Sequence, residues 1–140
     1  MESDPIVIQM DMRESRGTRK NASLLVGERS YSKNFANGTI TGSTSDLEYM
    51  YKELNKIIQE VNSGKKIGII SGTATLSGVE YPIEEVVLSK TLSGTIFISA
   101  VFNKTHKMSC AISSRFTFNT ASGSTTGFSH LSFDARFPGA

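Results

Sequence analysis

The last apolar stretch of the chain contains a histidine, a serine and an aspartate at alternate positions, His130, Ser132 and Asp134. These are the residue types of a nucleophilic triad, in which the histidine takes the serine proton and the aspartate orients the histidine. Along a β-strand, however, residues two apart stand about 6.5–7 Å from each other, whereas a triad needs hydrogen-bond distances near about 3 Å. We therefore interpret the three residues as the solvent-facing side of an amphipathic strand.

Cys110 is the other candidate nucleophile, with His106 four residues before it. It alternates with Met108 and Ile112, so it is predicted to face the core, where a thiol is inert. One cysteine and two histidines give no recognisable zinc-ligand spacing, and the glycines match no phosphate-binding loop. The sequence thus indicates no catalytic residues, no metal site and no cofactor, and it favours a non-enzymatic function.

Positive charge is concentrated in the tip of one predicted hairpin, at Arg13, Arg16, Arg19 and Lys20. Arginine forks suit phosphate oxygens, so nucleic-acid binding through this tip is one hypothesis. Glu14 and Glu28 dilute the charge, and no aromatic residues interleave with it to stack on bases. A solvated hairpin end is the alternative, and the residues favour it.

One amphipathic helix is predicted over about 45–63. Its apolar residues recur at a period of 3.6, at Leu47, Met50, Leu54, Ile57, Ile58 and Val61. Ser45 with Glu48 fits a capping box at its start, and Gly64 fits a C-terminal stop. Because the apolar stripe is narrow, we expect the helix to cover one face of a sheet.

Most of the remaining chain alternates between apolar and polar residues and predicts about 7–8 strands. Asn37-Gly38 predicts a tight hairpin turn, a change of apolar parity within 67–76 predicts a bulge near Gly72, and 107–118 reads as a single strand. The predicted fold is α+β, an antiparallel and mostly meander sheet curved around the helix. In outline, this order of elements resembles cystatin-like folds and the strand–helix–strand barrels of phage tail-tube and secretion-tube proteins. A resemblance of outline implies no function.

The stretch 95–103 is apolar on both sides, with Phe97 and Val101 opposite a second apolar series at Ile96, Ile98, Ala100 and Phe102. A strand of this kind is usually covered on both faces. The helix can cover one face, so another layer or another subunit must cover the other. Phe97 and Val101 are therefore the predicted oligomer interface.

The composition sets broad limits. At 140 residues the chain is expected to form a single domain, 1–140. The net charge of +2 indicates no class of partner, and one cysteine means that the fold does not depend on an oxidising compartment. There is no apolar run of membrane-spanning length and no signal-peptide pattern, so a cytoplasmic protein that does not enter a membrane is expected.

The leading hypothesis is a non-catalytic binding or assembly protein that acts as a homo-oligomer through its β-sheet surface, with itself or another protein as partner. The first alternative is a nucleic-acid-binding protein that uses the basic hairpin tip. The second is a small-ligand-binding or enzymatic pocket between the helix and the sheet. Such a pocket needs inward polar residues, for which Ser99 and Ser114 are the candidates.

Overall fold

The computed structural model describes residues 6–15, 19–34, 40–41, 43–121 and 127–138. Within them lie one helix, α1 (Thr44–Asn62), and ten antiparallel strands. The strands are β1 (Ile8–Ser15), β2 (Arg19–Val26), β3 (Arg29–Asn34), β4 (Ile40–Thr41), β5 (Gly68–Leu76), β6 (Val79–Lys90), β7 (Ile96–Phe102), β8 (His106–Ile112), β9 (Phe118–Ala121) and β10 (Phe128–Arg136). The predicted α+β class is confirmed.

The strand count exceeds the predicted 7–8 because two short strands leave no readable alternation. β4 has two residues and β9 has four. The predicted single strand over 107–118 is in fact two strands, joined by a turn in which the Ser113 N–H donates to the Thr117 carbonyl at 3.0 Å. Ile112 pairs with Phe118 across this turn, so the apolar residues keep even-numbered positions although the chain reverses. Phe116 has a positive φ of 61° within the turn.

The strands lie in the order β4-β3-β2-β1-β10-β5-β6-β7-β8-β9. Sequence neighbours pair as hairpins on both sides of β10, which returns from the end of the chain to lie between β1 and β5. The sheet curls strongly, because its two ends approach each other. Lys33 in β3 donates to the Phe118 carbonyl at 3.2 Å, and the Tyr31 ring meets the Phe118 ring edge-on at 5.6 Å.

The helix packs on the concave side of this curled sheet. Of the predicted stripe, Leu47, Met50, Leu54 and Ile57 are buried, and Ile58 and Val61 are partly buried against the core. They join one core with the inward residues of the strands, among which the large and fully buried ones are Ile8, Met12, Leu24, Ile96, Ile98, Phe102, Met108, Ile112, Phe118 and Leu131. The apolar stripe of the helix therefore serves the core and is not a free surface.

The helix starts one residue before the predicted position, and its N-cap lies two residues before the predicted one. Ser43 is the N-cap and forms the capping box with Asp46, in place of the predicted Ser45 and Glu48. Both pairs have the required spacing of three. A tertiary contact favours the Ser43–Asp46 pair, because the Arg29 guanidinium of β3 lies 2.9 Å from the Asp46 carboxylate. The Ser43 backbone N–H and the Arg29 guanidinium lower the pKa of Asp46.

The sheet divides at β6. Residues 79–82 of β6 pair with β5, whereas residues 83–90 pair with β7. Gly72 of β5 lies against Ile83 at this division, so closely that an added Cβ would be 2.9 Å from Ile83 Cγ1. The bulge predicted near Gly72 lies at Ile70, since Ser71 and Ile69 face consecutive residues of β10 and Ile70 faces none. The predicted Asn37-Gly38 turn lies outside the described residues.

Candidate functional site

The outward face of β7 carries the two predicted interface residues. The even-numbered residues of β7 are fully buried in the core, so the alternation of a strand turns Phe97, Ser99 and Val101 outward. Phe97 and Val101 are partly exposed, and neither belongs to the core cluster. The two-sided strand is therefore present, and the described residues place no second sheet or helix over its outward side.

Cross-strand register extends this face over three strands. Ser99 is opposite Val87 of β6 and Ser109 of β8, and the two serine hydroxyls hydrogen-bond at 2.8 Å. We call the group the outer patch: Val87, Phe97, Ser99, Val101, Ser109 and Ala111. Ser99, Ser109 and Ala111 are only 6–8 % exposed although they face outward. Their larger neighbours therefore form most of the surface of the patch.

The rim of the outer patch is polar. Val101 is opposite Glu85 and Lys107 at one end, and Phe97 is opposite Ser89 at the other. An apolar centre with a polar rim is the usual anatomy of a protein–protein interface. The alternation of one strand is enough to predict that Phe97 and Val101 face outward. It cannot show which residues of neighbouring strands lie beside them.

The predicted basic tip lies largely outside the described residues. Arg16 is outside them, as are the side chains of Arg19 and Lys20. Arg13 is exposed, and its Nε lies 3.3 Å from Asp11 Oδ1, so an acidic neighbour already pairs with it. Nucleic-acid binding through this tip stays a prediction.

A groove of about 490 Å³ crosses the outward face of the sheet at a distance from the outer patch, over the strands around β1 and β10. Its polar side chains come from β1, β2, β3, β5 and β10, and they are Gln9, Asp11, Ser23, Ser30, Ser71, Ser132 and Asp134. Arg136 binds Asp134 through two hydrogen bonds, from Nε at 3.1 Å and from Nη2 at 2.9 Å. These bonds, with a hydrogen bond from Gln9, lower the pKa of Asp134 against the effect of burial. The carboxylate is thus ionised and already engaged.

The residues of the candidate triad share this outward side, but the structure groups them differently. Asp11 of β1 is opposite Ser132, and its Oδ1 lies 3.4 Å from His130 Nε2. That nitrogen is buried and forms no hydrogen bond of good geometry within the described residues. Asp134 is directed to Arg136 instead. The aspartate beside His130 therefore comes from another strand, which no spacing within β10 could reveal.

Asp134→Asn is expected to lower the stability at neutral pH and to have a smaller effect in acid. Because the folded state lowers the pKa of Asp134, its contribution is complete above the unfolded pKa of about 4 and is lost as the pH falls through the folded pKa. At pH 7 the expected loss is about 1–2 kcal/mol, near the lower end of the range for hydrogen bonds to a charged group, because solvent partly screens the pair. Urea denaturation between pH 7 and pH 3 measures the difference from wild type.

Ser132→Ala is the control for this prediction, since it changes the same outward side of β10 and removes no charge. Its stability is expected to run parallel to that of the wild type across the pH range. If the difference between Asp134→Asn and the wild type stays constant from pH 7 to pH 3, the ion pair is not the source of the stabilisation.

Apolar side chains fill the core between helix and sheet, and grooves that both elements line lie only at its margins. Cys110 is fully buried there, and burial raises the pKa of its thiol far above the ordinary range. The predicted burial of Cys110 is confirmed. Ser99 lies on the outward face rather than inside, and Ser114 is exposed. The two serines therefore do not line a pocket between helix and sheet.

Comparisons with protein-family models, curated proteins and solved structures found no match. In the part of the chain that the structure describes, no helix is long and apolar enough to cross a membrane. The same residues include no group of three or more His, Cys, Asp or Glu side chains that could hold a metal ion.

Proposed function

We propose that the chain is a non-catalytic binding or assembly protein that acts as a homo-oligomer through the outward surface of its sheet. The observation that supports this proposal is the outer patch. Phe97, Val101 and Val87 lie partly exposed on neighbouring strands, around small side chains that are already shielded from water. A contiguous apolar surface with a polar rim is typical of a site that another protein covers.

The energetics of the patch favour an apolar partner surface. The Ser99 and Ser109 hydroxyls hydrogen-bond to each other, so a covering surface leaves neither of them unpaired. Phe97 supplies an aromatic side chain, the residue class that contributes most to interface affinity. A second copy of the same patch is apolar in the same way, which favours self-association.

The polar groove is less suited to catalysis than its residue types suggest. Arg136 occupies the Asp134 carboxylate, and Arg13 lies beside the Asp11 carboxylate. His130 contacts Asp11 but hydrogen-bonds no serine hydroxyl within the described residues. Among the described residues, the groove thus holds no activated nucleophile, which favours the non-catalytic function.

Phe97→Ser and Val101→Ser are each expected to weaken self-association. Loss of a central aromatic contact typically costs about 2 kcal/mol or more, which is roughly a thirtyfold rise in the dissociation constant. Light scattering after size-exclusion chromatography, repeated over a range of protein concentrations, measures the mean molar mass. Circular dichroism checks that each variant is folded.

Ile70→Ser is the matched control, because Ile70 is 64 % exposed and lies on β5, outside the outer patch. It should leave the mass unchanged. The proposal is wrong if the wild type is a monomer at every concentration, or if Ile70→Ser and Phe97→Ser have equal effects.

A further inference from the structure

Two opposite charges flank the outer patch at one end. Glu85 of β6 and Lys107 of β8 are both opposite Val101 of β7, so they lie on either side of it on the outward face. Neighbouring strands are about 4.8 Å apart, which puts the two backbone positions about 10 Å from each other. Both side chains are exposed. The patch is therefore bounded at this end by one acidic and one basic group, placed symmetrically about β7.

Neither charge is engaged within the part of the chain that the structure describes. No hydrogen bond or ion pair joins the Glu85 or Lys107 side chain to another described residue. Glu84, by contrast, accepts a hydrogen bond from the Lys104 backbone N–H at 2.6 Å. Lys66 lines the same cavity as Glu85 but forms no ion pair with it. Both charges beside Val101 are thus available to a surface that covers the patch.

A surface that covers the outer patch has to match these charges. Closing the patch removes water from around Glu85 and Lys107, and a charge that loses water without gaining a partner weakens binding. A matching surface carries a basic group opposite Glu85, an acidic group opposite Lys107 and apolar side chains between them. The outer patch of a second copy, turned over onto the first, has this arrangement.

One two-fold axis pairs both charges. If the axis lies between the two sheets and runs along β7, the β6 strand of each copy lies over the β8 strand of the other. Glu85 and Lys107 are at the same level along the strands, so each Glu85 faces the Lys107 of the other copy. Sheets packed face to face are about 10 Å apart, which these long side chains can bridge. Phe97 lies near the axis and meets the Phe97 of the second copy, and an aromatic pair adds to the affinity.

Other axes leave the charges without partners. An axis that runs across the strands at Ser99 sets Glu85 of one copy over Ser89 of the other. It also sets Lys107 over Ala111. Strands that cross near a right angle bring one of the two charges toward its own copy, which sets like charges together. Charge complementarity therefore selects the axis along β7.

We propose that two copies of the chain pack outer patch against outer patch about a two-fold axis along β7, with Glu85 of each copy bound to Lys107 of the other. This inference rests on the proposed self-association and names the partner surface and its orientation. The apolar centre supplies most of the affinity, and the two ion pairs at the rim fix the orientation.

Charge reversal tests the ion pairs. Glu85→Lys and Lys107→Glu are each expected to weaken the dimer about tenfold, because each sets like charges opposite each other at two symmetric positions. The double reversal should restore the dissociation constant to within about twofold. Sedimentation equilibrium measures all three variants, and circular dichroism checks that each is folded. Glu80→Lys is the matched control, since Glu80 is exposed on the same strand but lies outside the outer patch.

A mixture of the two single variants distinguishes contacts between copies from contacts within one chain. In a dimer of one Glu85→Lys chain and one Lys107→Glu chain, the lysines of the first chain face the glutamates of the second at both positions. We expect the mixture to associate about as tightly as the wild type, although each variant alone does not. A mixture as weak as its components would mean that the two charges act within the chain, and the ion pairs between copies would be wrong.

Cysteine cross-linking tests the direction of the axis. Val101 lies near an axis along β7, so the two copies of Val101→Cys are within reach of a short bismaleimide, whereas the two copies of Val87→Cys lie on opposite sides of the axis. Both valines are partly exposed on the outward face, which makes them a matched pair. Cys110 is fully buried and does not compete. We expect Val101→Cys to give mostly covalent dimer on denaturing electrophoresis and Val87→Cys to give little.

The outcomes separate this inference from the proposed function. If Phe97→Ser weakens self-association but Glu85→Lys has no more effect than Glu80→Lys, the arrangement is wrong and the proposed function stands. The same conclusion follows if Val87→Cys cross-links as well as Val101→Cys or better. A wild type that is monomeric at every concentration overturns both.

Discussion

Replacement of Phe102 by alanine is expected to lower the free energy of unfolding by about 3–5 kcal/mol. Phe102 is fully buried at the end of β7, and its ring lies 6.2 Å from the Tyr81 ring and 5.8 Å from the His106 ring. Alanine leaves a cavity there that strands held by hydrogen bonds on both sides cannot close. The loss is a large part of the roughly 5–15 kcal/mol that stabilises a typical domain.

Chemical denaturation monitored by circular dichroism measures this loss. Phe97→Ala is the matched control, because it removes the same side chain from the same strand on the opposite face. Phe97 is partly exposed and lies outside the core cluster, so we expect a much smaller loss at a protein concentration low enough to prevent self-association. Similar losses for the two variants would mean that the outward face is as tightly packed as the core.

Gly72→Ala is expected to lower the free energy of unfolding by about 1–3 kcal/mol, the usual effect of overpacking. The added Cβ would lie 2.8 Å from Phe133 Cβ and 2.9 Å from Ile83 Cγ1. Gly72 cannot move away easily, because β5 is paired there with β10 at Phe133. The substitution therefore forces β6 away from β5 at the point where the sheet divides.

Gly68→Ala is the control for this effect, since it lies in the same strand and its Cβ would meet only the Arg136 carbonyl oxygen at 3.5 Å. That distance is an ordinary van der Waals contact, so little change in stability is expected. Thermal unfolding of the two variants distinguishes them. If Gly72→Ala unfolds at the wild-type temperature, the close approach of β5 and β6 is not a structural requirement.

Over 83–90, the edge of β6 that faces away from β7 has no strand partner among the described residues, and it carries features that limit uncontrolled association. Acidic residues lie at one end and Lys90 at the other, and a bulge interrupts the pairing with β7 between Ile83 and Glu85. Charges and bulges of this kind discourage pairing with arbitrary strands.

Several features were determined by the sequence alone, because they depend on local periodicity. The stripe from Leu47 to Ile57 predicts both the helix and its buried side. Alternation in β7 predicts that Phe97 and Val101 face away from the core, and alternation in β8 predicts that Cys110 is buried. In each case the spacing of apolar residues within one element is sufficient, since burial of that face is the main source of its stability.

Only the tertiary structure decided which elements meet. The insertion of β10 between β1 and β5 brings Asp11 to His130, and the contact with Arg29 selects Asp46 for the helix cap. Sheet order and register depend on pairing between residues far apart in the chain, and alternation within one strand is compatible with many partners. For the same reason, the sequence predicted two residues of the outward face, whereas the outer patch and the free edge beside Val87 became visible only in the folded sheet.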